Sequence, residues 1–268
     1  GTGTASMPFL IEDSFDMDEL SRKVLAGNNY TGYYFKVADG VDEISLENFT
    51  PIGSSSRVFA GNFNGNGVNF DIAISGNLDY QGIFGYISST SAAVYNFSVS
   101  GSISARSYVG SAVGFLNLGS VHDIYNTATI VGSSNYVGGI VGYVQGNNAT
   151  YTTVYNTYNQ GIVNGYSYVG GIVGAQYGRS DYKYSTISYS YSAGYVSGST
   201  GSYVGGVIGS FSTSSGYRNN LYYDITRIVN YDKPASTKPT TEPINSNGIA
   251  GLTSGQMISS DMSSRLSS

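Results

Sequence analysis

The residues from Tyr136 to Val144 read YVGGIVGYV, and close copies of this phrase return along the chain. The copies are YVGSAVGFL from Tyr108, YVGGIVGAQ from Tyr168, YVGGVIGSF from Tyr203 and a shortened YQGIFGYI from Tyr80. The last Gly of each copy follows the previous one by 29, 28, 32 and 35 residues. Repeats of this period are typical of solenoids, because a unit that cannot bury its own apolar side chains must stack on its neighbours.

A second phrase follows each copy at a regular offset. It reads VYNFSVSGSI from Val94, VHDIYNTATI from Val121, VYNTYNQGIV from Val154 and ISYSYSAGYV from Ile187. Its aligned columns are Ser98, Tyr125, Tyr158, Tyr191 and Tyr222; Asn96, Asp123, Asn156, Tyr189 and Asn220; and Gly101, Ala128, Gly161 and Gly194. Parallel stacking places equal positions about 4.8 Å apart, so we expect Tyr rings to stack and Asn amides to hydrogen-bond along these columns.

These repeats predict an all-β fold, a single-domain parallel β-helix (solenoid) with an N-terminal helical cap and a C-terminal covering segment. Residues 16–26 have helical apolar spacing; Ser14 or Asp16 is the expected N-cap and Gly27 the expected stop. A capping-box pattern from Thr253 predicts a short second helix. Within the one domain, we divide the chain into a cap helix and irregular first coils (1–79), repeats (80–223) and the covering segment (224–268).

The composition excludes several classes of protein. Only 11% of the 268 residues are charged, 40% are hydrophobic and none is Cys. Without Cys there are no disulfides and no thiol chemistry. A net charge of −5 with no basic run argues against nucleic-acid binding, and no apolar stretch is long enough to span a membrane. We expect a secreted or cell-surface protein whose signal peptide is not part of this chain, and a monomer because both ends are capped.

The units YVGGIVGYV and VYNTYNQGIV resemble the GLUG-motif repeats of secreted bacterial surface proteins. The flanking phrases GTGTASMPFLI, FAGNFNGNG, NLYYD and GLTSGQM resemble the regions before and after those repeats. The resemblance implies a parallel β-helix in an exported protein. Proteins with this motif include adhesins and proteins labelled as immunoglobulin A peptidases. The motif brings no catalytic residues of its own, so the resemblance implies none here.

The acidic residues give little support to catalysis. Eleven of the seventeen precede Tyr80, and only Asp123 and Asp181 lie within residues 80–223. Paired carboxylates at coil spacing, which a β-helix hydrolase or lyase would use, are therefore missing from the repeats. The single His, His122, stands beside Asp123 and invites a base-and-orienter interpretation, but no nucleophile accompanies it, so we favour a structural role. We predict no catalytic residue, metal site or cofactor.

Tyrosines crowd the later coils, and some fall in a long polar loop with cations. We interpret this loop as a candidate contact site for a glycan or a host extracellular protein, because Tyr rings stack on sugars and anchor protein partners. The alternative is that these rings only pack between coils. The candidate residues are Tyr177, Arg179, Tyr182, Lys183 and Tyr184.

Two hypotheses for the function follow from the sequence. The first is a non-catalytic adhesin or spacer that displays loops on a stiff solenoid. The second is a carbohydrate-active β-helix enzyme, or a non-catalytic part of an exported peptidase of the immunoglobulin A type. A cleft with two carboxylates, or a metal with open coordination, would favour an enzyme, and Asp71, Asp79 and Asp123 are the carboxylates that folding could bring together.

Overall fold

A computed structural model describes residues 1–146, 152–178, 185–199, 202–212, 216–229 and 248–258. The chain winds into an all-β parallel solenoid of about six turns, as the repeats predict. Every pairing between its strands is parallel, and each strand pairs mainly with the strand one coil earlier and one coil later. The repeated coils therefore present the same three faces, each formed by one strand or by part of a longer strand.

The strands in chain order are β1 (Phe9–Ile11), β2 (Tyr34–Val37), β3 (Glu43–Glu47), β4 (Asn62–Asn64), β5 (Asn69–Ser75), β6 (Phe84–Ala105), β7 (Val113–Asn126), β8 (Thr129–Gly138), β9 (Val141–Gly146), β10 (Thr152–Asn159), β11 (Val163–Gly170), β12 (Val173–Gly178), β13 (Ser185–Ser192), β14 (Val196–Gly198), β15 (Val204–Gly205), β16 (Ile208–Phe211), β17 (Tyr217–Asp224), β18 (Ile228–Val229) and β19 (Ile249–Leu252). The long strands β6 and β7 bend around a corner and contribute to more than one face.

The core is three columns of apolar side chains, one from each face. Because each column repeats once per coil, its β-branched side chains pack mostly on β-branched side chains of the coils before and after. Burying one such side chain contributes about 1.5–3 kcal/mol. The columns are Phe84, Val113, Val141, Val173 and Ile208 on face 1; Phe63, Val94, Val121, Val154 and Ile187 on face 2; and Ile103, Ile130, Val163 and Val196 on face 3.

A short polar ladder lies inside the solenoid beside these columns. The Nδ2 atom of Asn126 donates to Oδ1 of Asn159 at 2.8 Å, and Nδ2 of Asn159 donates to Oγ of Ser192 at 3.3 Å. Gly139 faces this ladder: a Cβ added there would come within 2.1 Å of the Gly171 carbonyl oxygen and 2.7 Å of the Asn159 side chain. Gly is therefore required at the second Gly position of the YVGG phrase, because the neighbouring coil leaves no room for a Cβ atom.

The predicted cap helix is present as α1 (Ser14–Leu25), and it buries Met17, Leu20 and Val24. Its N-cap differs from both predicted residues. Asp13 has the extended backbone of an N-cap, and its side chain accepts a hydrogen bond from the amide of Asp16. The prediction was wrong because Asp and Ser are about equally good N-cap residues, so residue preference does not decide between Asp13 and Ser14.

The C-terminal helix is confirmed as α2 (Ser254–Met257). Thr253 and Gln256 form both bonds of the predicted capping box, and α2 packs against β17 and β19. A single 3₁₀ turn, Ile225–Arg227, follows β17. The rest of the predicted covering segment, residues 230–247 and 259–268, lies outside the described residues. In the part of the chain that is described, no helix is long and apolar enough to cross a membrane.

Candidate ligand-binding groove

Of the five residues predicted to contact a ligand, one is described. Tyr177 lies at the end of β12, and its hydroxyl shares a hydrogen bond with that of Ser210. The other four, Arg179, Tyr182, Lys183 and Tyr184, lie outside the described residues, so the predicted loop site stays a prediction. The Tyr177 ring also contacts Tyr143, the last ring of a column on face 1 that contains Tyr86 and Phe115; the register position after Tyr143 is Ala175.

A second ring column runs along the corner that leads into face 1. It consists of Tyr80, Tyr108, Tyr136, Tyr168 and Tyr203, with successive centroids 4.8 to 5.0 Å apart and interplanar angles of 9° to 23°. Because each ring stacks on the next, the faces of the inner rings are covered and only their edges and hydroxyls reach solvent. A sugar ring therefore cannot stack on the middle of this column, and its role is mainly structural.

Face 2 offers a ring that is not covered in this way. The register of the predicted Tyr column is confirmed, but among the described residues ring contact within it is found only for Tyr158 and Tyr191. The position one coil before Tyr125 is Ser98, whose side chain is too short to reach over the ring. Within the described residues no aromatic ring stacks on Tyr125, whereas Tyr158 and Tyr191 lie 4.8 Å apart. The break in the column leaves an aromatic surface open to a ligand.

A shallow groove of about 260 Å³ lies at this break. We call it the axial groove, because its lining residues come from four successive coils. They are Gly67, Asn96, Phe97, Ser98, Asp123, Ile124, Tyr125 and Tyr158. One wall thus contains the predicted Asn column and the other the predicted Tyr column.

The backbone of the Asn column places its side chains at the groove. Asn96 and Asp123 have positive φ angles of 62° and 54°. Non-glycine residues rarely adopt this conformation, and Asn and Asp tolerate it best. The column is therefore a repeated local bend in the strand of face 2. It turns the side chains of Asn96 and Asp123 outward, and both are exposed.

The carboxylate of Asp123 is held from both sides. Its Oδ2 lies 2.7 Å from Nδ1 of His122, and its Oδ1 accepts a bond of 3.1 Å from Nδ2 of Asn156. His122 is itself clamped between the rings of Tyr95 and Tyr155, with centroids 4.8 and 4.5 Å away. A carboxylate oxygen accepts more than one bond, so this fixed, half-exposed group can still accept bonds from a ligand.

The negative charge of Asp123 acts across the groove. Burial, together with this nearby charge, raises the pKa of Tyr158 above its ordinary value. Burial and the same charge also raise the pKa of Tyr155. Both phenols are therefore neutral donors at physiological pH, beside a single ionised acceptor.

The three carboxylates named above do not come together. Asp71 on β5 accepts a bond from Ser100 on β6, Asp79 pairs with Arg106, and Asp123 lies in the groove. Among the residues that are described, no group of three His, Cys, Asp or Glu side chains could hold a metal ion. An acid–base pair is thus not assembled from the carboxylates that the sequence singled out.

The sequence contains a signal for the groove. The columns alone predict structural roles for Asp123 and Tyr125 and no ligand contact for Asn96 and Ser98. The signal was the change from Ser98 to Tyr125 in an otherwise aromatic column. A gap of one side chain in a stacked array exposes the face of the next ring, and the neighbouring polar column then forms the opposite wall.

Comparison with known proteins adds a match of fold. No known protein family matches the chain, and no curated protein matches it. A solved structure does match: a Bacteroides ovatus protein provisionally named an immunoglobulin A1 protease, with a TM-score of 0.67 and 22% sequence identity over 83% of this chain and 68% of that one. At this identity the likeness shows the solenoid fold alone.

Proposed function

We propose that this chain is a secreted or cell-surface solenoid without catalytic activity that binds glycans in the axial groove, in the manner of an adhesin. The observation that carries the proposal is the uncovered ring of Tyr125 beside the fixed carboxylate of Asp123. Sugar hydroxyls bond well to a carboxylate and an amide, while the apolar side of the sugar packs on an aromatic ring. The GLUG resemblance and the low charge content support an exported protein.

The test is a glycan array and titrations with two variants that the columns themselves suggest. Asp123→Asn places in the column the residue that stands at Asn96 and Asn156, and Tyr125→Ser repeats the residue at position 98. Both should keep the fold. We expect Asp123→Asn to weaken glycan binding by about tenfold or more, since a bond to a charged group contributes about 1.5–3 kcal/mol, and Tyr125→Ser to weaken it by about fivefold, since a ring contact contributes about 1 kcal/mol.

Tyr166→Ser is the matched control, because Tyr166 is 59% exposed and lies on β11, outside the groove. It should bind like the unmodified protein. If the unmodified protein binds no glycan, the adhesin proposal fails and the spacer function is what remains. If Tyr166→Ser loses as much affinity as Tyr125→Ser, the groove is not the site.

The second candidate is a non-catalytic part of an exported peptidase. It is favoured by the fold match to the protein provisionally named an immunoglobulin A1 protease. Binding of immunoglobulin A, measured by biolayer interferometry without cleavage of its heavy chain on a gel, would support this candidate. Binding that survives Asp123→Asn and Tyr125→Ser would separate it from the glycan proposal.

A further inference from the structure

The shape of the axial groove carries information about the length of its ligand. Its lining residues come from four coils, at Gly67, at 96–98, at 123–125 and at Tyr158. Coils in a parallel solenoid are about 4.8 Å apart, so the groove extends about 14 Å along the axis. This is longer than a single sugar, and its direction is that of the solenoid.

The walls continue beyond the groove instead of closing it. Toward the N-terminus the Tyr column continues as Asn69, whose Oδ1 accepts a bond from Ser98 at 3.0 Å and whose Nδ2 donates to Glu43 at 3.1 Å. Toward the C-terminus it continues as Tyr191, next to Tyr158. Both end residues are half-buried, so a ligand longer than the groove still finds hydrogen-bonding groups at one end and a ring at the other.

Charge further limits the ligand. Asp123 is the one ionisable acid or base among the lining residues other than tyrosine, and no Lys or Arg lines the groove. Near the N-terminal end the neighbouring charges are Glu43 and Asp71, which are linked through Asn69 and Ser100, and the Lys36–Asp39 ion pair, which is bonded to Asn66 beside Gly67. The pair is neutral as a whole, so the net charge around the groove is negative, which disfavours an anionic polymer relative to an uncharged one.

We infer that the axial groove binds a linear, uncharged polysaccharide whose chain lies parallel to the solenoid axis and is contacted at internal sugars as well as at its end. The inference rests on the proposed glycan binding and adds the length, direction and charge of the ligand. Asp123 and Asn96 contact one sugar together with the Tyr125 ring, and Tyr158 contacts the next sugar along the chain.

The first test is affinity electrophoresis of the full chain in gels containing soluble mixed-linkage β-glucan, glucomannan or xylan, with polygalacturonate as the anionic comparator. The constituent sugar and oligosaccharides of the polymer that retards the protein are then titrated by calorimetry, from monosaccharide to hexasaccharide. We expect retardation by a neutral polymer but not by polygalacturonate, and an affinity that rises about fivefold between monosaccharide and disaccharide, as one added ring contact of about 1 kcal/mol predicts.

The variant that isolates the length effect is Tyr158→Ser, which again repeats the residue at position 98. It should remove the gain between monosaccharide and disaccharide, because only a ligand of two or more sugars reaches Tyr158, whereas Asp123→Asn should weaken every length equally. Should Tyr158→Ser fail to fold, the length series of the unmodified protein decides by itself. Equal affinity at all lengths, or a preference for polygalacturonate, overturns this inference while glycan binding stands; no retardation by any polymer overturns both.

Discussion

Two columns of residues in this solenoid have the left-handed backbone conformation, with positive φ angles. One is the Asn column of face 2, and the other is the corner column, in which Tyr80, Tyr108, Tyr136 and Tyr168 have φ between 56° and 67°. This conformation costs an ordinary residue about 1–2 kcal/mol. Asn and Asp lower the cost because their short side chains bond locally, whereas the bulky Tyr residues offset it by stacking. The same strained geometry therefore selects two different residue types.

Asn156 tests this account at the residue scale. Asn156→Ala should reduce the free energy of unfolding by about 1–2 kcal/mol, because Ala strains at φ 51° and the bond to Asp123 is lost. Asn156→Gly loses the same bond, but Gly adopts a positive φ without strain. This variant should therefore lose clearly less free energy of unfolding than Asn156→Ala. Urea denaturation with an unchanged m-value measures both. Equal losses for the two variants would show that backbone strain is not what selects Asn here.

At the scale of elements, the Tyr hydroxyls within an aromatic column raise one another's pKa. Burial, followed by the neighbouring Tyr80 and Tyr136, raises the pKa of Tyr108 to about 12 from its ordinary value of 10.0. Burial raises the pKa of Tyr143 as well, with the surrounding phenols adding to the effect. Each ring disfavours ionisation of its neighbours, so the columns stay neutral well into the alkaline range.

This shift predicts how stability depends on alkaline pH. Above pH 10 the phenols of the unfolded chain lose their protons while Tyr108 in the fold keeps its proton up to about pH 12. The unfolded state then binds fewer protons, so the free energy of unfolding falls as pH rises through this window. Denaturant titrations across the window, with tyrosinate absorbance, measure the fall. Tyr108→Phe, which repeats the ring type of Phe115, should make it shallower; an unchanged slope would contradict the assignment.

Much of this element-scale order could be predicted from the sequence. The offsets of the second phrase gave the register of Ser98, Tyr125 and Tyr158, because identical coils must stack identically. The predicted amide column forms in part, through the bond from Asn156 to Asp123, and a further ladder that was not predicted lies inward at Asn126 and Asn159, one position after the Tyr column. The sequence could not reveal which side of the strand points inward, since both sides are largely apolar. The groove was also missed, because it forms between two columns that were analysed separately.

At the scale of the whole molecule, the two ends of the solenoid are finished differently. The N-terminal end is covered by α1, which buries its apolar side chains. At the other end the core column of face 2 passes from Ile187 to Arg218. The guanidinium of Arg218 lies 4.0 Å from the Phe211 ring centroid, and its Nη1 donates to Gln176. Burial lowers its pKa to about 10, and no described carboxylate pairs with it.

Arg218 is a desolvated charge within the stack and not on its outer edge. Strand β19 pairs with β17 from Leu221 onward, and a Cβ added at Gly248 would come within 2.0 Å of the Arg218 carbonyl oxygen. Arg218→Ile restores the residue type of the preceding coils and removes the cost of burying a charge, so we expect it to raise the free energy of unfolding in urea by about 1 kcal/mol. Arg57→Met removes the same charge from an exposed position near the other end and should leave the free energy of unfolding unchanged.

The outcome of this substitution tests what the buried charge costs. If Arg218→Ile lowers the free energy of unfolding instead, the contacts of the guanidinium with the Phe211 ring and with Gln176 stabilise the fold by more than its burial costs. A change of equal size in Arg57→Met would show that the effect comes from the net charge of the protein and not from the position of Arg218.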